Sequence, residues 1–74
     1  MSAILHLVKD EAPLARFVIA DQVARGDVVT VAVLEGAGDP AGLPAAVTVR
    51  HVSRDLSYPE LLRLVFAAEQ VIAW

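Results

Sequence analysis

Two apolar runs, AILHLV from Ala3 to Val8 and DVVTVAVL from Asp27 to Leu34, bracket a stretch of helical length. This alternation constrains the fold more than any other feature of the chain. Runs that are apolar on both alternating faces suit strands covered on both sides, the situation of a parallel sheet. Along the first run Ile4, His6 and Val8 fall on one face, and Ala3, Leu5 and Leu7 on the other. The second run is β-branched almost throughout, which favours a strand. Strand, helix and strand within so short a span form a βαβ unit, for which a right-handed crossover is the rule.

Between the runs, Lys9 to Ala12 reads as a turn and the helix as extending to about Arg25. Asp10 is placed to cap it, with Glu11 and Pro13 in the first turn. Gly26 is placed to end it as a left-handed glycine. Leu14, Phe17, Val18 and Ala24 form one apolar stripe, taken as the sheet-facing side. Ala12, Ala15, Ile19 and Val23 form a second stripe on the opposite side. A helix apolar on two sides is usually covered on two sides.

From Glu35 to Ala46 the chain is rich in glycine and proline and reads as a loop. It stands where an α/β protein would place another crossover helix, here reduced to a turn or two. Val47 to Val52 alternates as a more exposed strand. Ser53 to Leu56 is a turn. Ser57 and Glu60 have capping-box spacing ahead of a helix running to about Ala68. Leu61, Leu64, Val65 and Ala68 form the core stripe of this helix, and Leu62 and Phe66 a second patch beside it. Val71 to Trp74 is a last short strand. Ending on tryptophan with no polar tail suggests that this strand is tied into the sheet, since untied termini fray. The expected fold class is therefore α/β: a small doubly wound, mostly parallel four-stranded sheet with two main helices, forming one domain over residues 1–74. The second strand is expected outside the first.

A chain of 74 residues with 57% apolar residues and no cysteine has more apolar surface than its own core can hide, and it has no disulfide to staple it. Oligomerisation is the remaining route to stability. The net charge is −3, and the basic residues Lys9, Arg16, Arg25, Arg50, Arg54 and Arg63 are scattered. This argues against direct nucleic-acid binding. No apolar run approaches membrane-helix length, and no basic segment precedes the first run as in a signal peptide. A cytoplasmic location is the expectation.

The stretches ILHLVKDEAP, GDVVTVAVLEG and SYPELLRLVFAAEQVIAW, taken in order, resemble the DsrE/DsrH-like sulfur-relay family. The likeness is to its smallest branch, the TusB or DsrH type. It touches most of the chain except Ala37 to Ala46. Two departures stand out: the chain is shorter than the usual subunit, lacking the second helix, and it has no cysteine. The family hands a cysteine persulfide from protein to protein, for tRNA thiolation (2-thiouridine) or sulfur oxidation. A persulfide needs a thiolate. The resemblance therefore implies a non-catalytic subunit that assembles with cysteine-bearing DsrE-like paralogues.

No catalytic, cofactor or metal site emerges from the residues. His6 and His51 are far apart without a ligand pattern, and His6 reads as a hydrogen-bonded structural histidine. In open α/β sheets ligands sit beyond the strand carboxyl ends. That edge offers Lys9, Asp10, Glu35, Gly36, Ser53 and Arg54, either as a small polar crevice or as ordinary solvated turns. Ile19, Val23, Tyr58, Leu62, Phe66 and Trp74 are the candidate interface, unless the helix phase is inverted and these stripes belong to the core. Two other roles stay open. One is a homo-oligomeric domain binding an anion or small ligand at the strand carboxyl ends. The other is an enzyme using Glu35 or Asp10 as a base.

Overall fold

A computed structural model describes residues 2–9, 12–38 and 40–74. Its elements are β1 (Ala3–Val8), α1 (Ala15–Ala24), β2 (Val28–Val33), β3 (Thr48–His51), α2 (Tyr58–Ala67) and β4 (Gln70–Ala73). The strands form one all-parallel sheet in the order β3-β2-β1-β4. The small doubly wound α/β architecture expected from the alternation is the one observed.

Register explains why β1 is apolar on both faces. His6 lies opposite Val31 and Ile72, and Leu5 opposite Thr30 and Val71. In-register neighbours share a face, and alternate residues point to opposite faces. Ile4, Val8, Val29, Val31 and Val33 therefore meet Ala15 and Ile19 of α1 on one side. Leu5 and Ala32 meet Val52, Leu56 and the Leu61, Leu64 and Val65 stripe of α2 on the other. β1 and β2 lie in the middle and are largely buried, whereas β3 and β4 are edges with few buried residues.

The connection from β2 to β3 takes the place of a crossover helix without forming one among its described residues. It lays Ala37, Leu43 and Val47 onto the α1 face of the core. The path from β1 to β3 thus stays on one face, and α2 then crosses the other face to reach β4. This reversal puts the switch point of the sheet between β1 and β4.

The phase expected for α1 is inverted. Leu14 and Phe17, assigned to the sheet-facing stripe, are 66% and 60% exposed, and Val18 is also exposed. Ala15, Ile19 and Gln22 are buried instead, with Ala12 and Val23 packed against the core. The reason is that α1 carries similar apolar weight on both sides, so apolar pattern alone cannot choose between them. Gln22 decides the matter. Its amide looks like a solvent residue in the sequence but is sunk beneath the helix to meet His6.

The start of α1 also differs from expectation. Asp10 and Glu11 lie outside the described residues. Leu14 occupies the cap position without a side-chain bond, and Pro13 sits in the preceding turn. The other end is as expected. Gly26, at φ +88°, lets its N–H reach the Val23 carbonyl and the Asp27 N–H reach Gln22, the pairing of a Schellman cap. Helix α2 has the full capping box. Ser57 Oγ accepts from the Glu60 N–H at 3.3 Å, and Glu60 Oε1 accepts from the Ser57 N–H at 3.0 Å.

Candidate functional site

The strand carboxyl ends carry the polar residues that the sequence singled out, but only some come together. After β2 the chain turns through Glu35 and Gly36, and after β3 through Ser53 and Arg54. These four and His51 line a cavity of about 200 Å³. Lys9 is exposed beyond β1 and does not line it. Asp10 lies outside the described residues. The Ser53 hydroxyl donates to the Glu35 carboxylate, bridging the two turns.

The turn after β3 is held from inside. The His51 carbonyl accepts the N–H groups of Arg54, Asp55 and Leu56. Asp55 Oδ1 accepts the His51 N–H at 2.6 Å. Ser53 adopts φ +71°, an uncommon value for a side chain with a β-carbon. Arg50 donates to the Asp55 carbonyl and lies 3.5 Å from the Asp55 carboxylate and 4.0 Å from that of Glu60. It thereby ties β3 to both the turn and α2. This bracing role had no signal in the sequence, because its partners come together only through the turn.

The same bonds move two carboxyl groups. The His51 backbone N–H, with help from the positive charge of Arg50, holds Asp55 below its ordinary value. The Ser57 backbone N–H, seconded by its side chain, does the same for Glu60. A depressed folded-state value contributes stability that is complete above the ordinary carboxylate range and is lost as pH falls through the depressed value. The urea midpoint is therefore expected to fall on acidification from about pH 5 toward pH 3. In an Asp55→Asn variant that slope should be shallower. An equally steep slope in the variant would remove Asp55 from the account.

A second cavity, of about 340 Å³, lies between the start of α1 and the loop after β2. Val8, Ala15, Ile19, Pro40 and Leu43 give it apolar walls, with Arg16 at its side. The Arg16 guanidinium sits 4.8 Å over the Phe17 ring. Gly42, at φ +75°, crosses the stem of Arg16, where a β-carbon would lie 3.6 Å from Arg16 Cδ. The sequence offered no sign of this cavity, since the irregular loop creates it.

His6 is a structural histidine, as expected, and its network can be resolved to the proton. Trp74 Nε1 lies 2.8 Å from His6 Nδ1, and His6 Nε2 lies 2.6 Å from Gln22 Oε1. An indole N–H can only donate, so Nδ1 accepts and the ring proton sits on Nε2, where it donates to Gln22. The histidine and tryptophan rings lie nearly coplanar, 14° from parallel with centroids 6.1 Å apart, as the in-plane bond between their nitrogens requires. Three elements are joined by two hydrogen bonds in the core. Among the described residues no buried side-chain nitrogen or oxygen lacks a partner.

The candidate interface divides. Ile19 is fully buried in the intrachain core, and Val23 is half-buried with its side chain packed against that core. Trp74 is half-buried and tied to His6. Tyr58, Leu62 and Phe66 do lie outside, Leu62 at 57% and Phe66 at 85% exposure. The sequence reading missed the exposed α1 ridge of Leu14, Phe17 and Val18 by inverting the helix. Among the described residues there is no cluster able to hold a metal ion and no helix long and apolar enough to cross a membrane.

Compared with known proteins, the chain matches no family model, and neither a curated protein nor a solved structure is significantly similar to it.

Proposed function

We propose that this chain is a non-catalytic subunit of a sulfur-relay assembly of the TusB and DsrH type. It acts in the cytoplasm through protein–protein contacts while a cysteine-bearing DsrE-like partner carries the persulfide, for tRNA thiolation or sulfur oxidation. The observation that carries the assembly role is the apolar outer surface of both helices: Leu14, Phe17 and Val18 on α1, and Tyr58, Leu62 and Phe66 on α2. Small soluble domains rarely expose contiguous apolar ridges without a partner to cover them, and aromatic residues are enriched at such interfaces. The sulfur-relay assignment rests on the three sequence stretches that resemble the family, and the non-catalytic role on the absence of cysteine from the chain.

Affinity capture of the tagged chain from its own host tests this. A small protein containing a reactive cysteine is expected to co-elute in fixed ratio. Phe17→Asp or Leu62→Asp should abolish the co-elution while leaving the far-ultraviolet circular dichroism of the chain unchanged. Retention of the partner by both variants would sink the reading.

The second reading, a homo-oligomeric domain holding an anion or small ligand, draws on the cavity lined by Glu35, His51 and Arg54. Shifts of the amides at 35, 36, 53 and 54 on titration with phosphate or sulfate would favour it.

A further inference from the structure

The two edges of the sheet are built differently. At β3 the backbone N–H of His51 is occupied by Asp55, and the charged Arg50 is braced against Asp55 and Glu60. A short strand bearing charge, its backbone partly occupied, is a protected edge. β4 has none of these devices. Gln70–Ala73 carries no charge and no proline, and it pairs with β1 on one side only.

The ladder defines what this edge offers. The Trp74 N–H bonds inward to the Leu7 carbonyl. Alternation along a parallel pair then turns Ile72 inward and leaves the N–H and C=O groups of Val71 and Ala73 pointing outward. Val71 is in register with Leu5 and so lies on the α2 face, where it is exposed. On α2, Glu60 points toward β3, since it approaches Arg50. At 100° per residue Tyr58 and Leu62 then fall on the opposite flank, toward β4, with Phe66 beside them.

We infer that β4 pairs with β4 of a second copy of this chain, antiparallel about a two-fold axis through Ile72, to give one continuous sheet. Three observations favour a second copy over an unlike partner. Outward-facing Val71 and Ala73 are two residues apart, so each meets the other's counterpart in a hydrogen-bonded pair, as an isologous contact requires. Opposed residues share a face, so the two Leu62 and Phe66 flanks come side by side and cover Val71. Charge is also complementary. Glu69 lies at the amino end of β4, and Lys9 follows β1 at the carboxyl end. The antiparallel arrangement brings each Glu69 to within about two strand spacings, roughly 10 Å, of the partner copy's β1 end, a gap that the two side chains can span. This inference does not depend on the sulfur-relay assignment.

Sedimentation velocity of the purified chain over a wide concentration range, on the wild type and three variants, tests it. The wild type is expected to reach twice the chain mass. Val71→Lys places two like charges at the seam and should weaken the dimer at least about tenfold. Lys9→Glu should weaken it about two- to fivefold, and adding Glu69→Lys to the same chain should restore it. Lys9 and Glu69 are exposed, so the charge swap is informative even if Val71→Lys perturbs folding. A monomer at every concentration would overturn the inference. So would a dimer indifferent to Val71→Lys and the charge swap, or one lost in Phe17→Asp alone, which would place the contact on α1. Failure here leaves the capture experiment on Phe17→Asp standing, and the reverse also holds, whereas Leu62, placed beside the β4 seam, bears on both.

Discussion

Ile19→Ala is expected to unfold a large share of the protein, while Phe17→Ala, two residues earlier on the same helix, should move stability by no more than about 0.5 kcal/mol. Ile19 is fully buried between α1 and the valines of β2, whereas Phe17 is mostly exposed. Truncating a buried isoleucine removes its transfer free energy and leaves a cavity, together about 2–5 kcal/mol. A domain of this length has roughly 4–11 kcal/mol in total, so the loss approaches the whole in the less stable part of that range. Urea midpoints of the two variants, with the slope checked for constancy, measure the difference. The inverse result would return α1 to the phase suggested by its apolar pattern. The comparison discriminates because both residues are large and apolar, and only their side of the helix differs.

His6→Phe is expected to cost about 2–5 kcal/mol, although it exchanges one planar ring for another of similar size. The substitution removes both bonds of the buried network. Gln22 Oε1 is left without its donor in the core, and the Trp74 indole loses its acceptor. Gln22→Leu alone strands the His6 Nε2–H and should also destabilise. Joining the two substitutions should cost at least about 1 kcal/mol less than the sum of the single losses, because removing both partners of a buried hydrogen bond leaves no orphan between them. Additivity to within about 0.5 kcal/mol would mean that the two side chains do not interact. A nitrogen spectrum of the His6 ring gives an independent check, with Nε2 expected to carry the proton and Nδ1 to be bare.

These two experiments also mark where the sequence could and could not be read. β1 and β2 were legible because both of their faces are apolar, as central parallel strands require. Helix α2 was legible because Ser57 and Glu60 announce its start, and its Leu61, Leu64, Val65 and Ala68 stripe recurs at helical spacing. Helix α1 was legible as a helix but not in its phase, because its two apolar stripes carry similar weight and the buried Gln22 lies on the one that faces the sheet. What fixes Gln22 is a histidine 16 residues away in sequence, and no local rule carries that distance. The loop after β2 was recognised as irregular, but its packing onto the α1 face and the cavity it leaves depend on the finished sheet. At the candidate site Glu35, Gly36 and Arg54 do converge. Ser53, offered at the same edge, bridges the two turns, whereas Arg50 and Asp55, which brace the turn after β3, were read only as a strand residue and a turn residue.

The two apolar helix ridges connect this folding account to function. The same inversion that buries Ile19 sets Leu14, Phe17 and Val18 outside. The surplus of apolar surface implied by composition therefore sits on a different side of α1 from the one first expected. Leu14, Phe17 and Val18 thus replace Ile19 and Val23 as the apolar residues that α1 shows to solvent.

The most direct test of the assembly role is the native mass of the chain as it occurs in its own host, isolated at low salt and measured by mass spectrometry without denaturation. The expected result is a complex of fixed stoichiometry in which this 7.9 kDa chain accompanies a cysteine-bearing partner, and from which Phe17→Asp releases it. Recovery of the chain only as a 7.9 kDa monomer, with its helix ridges open to solvent, would contradict the account.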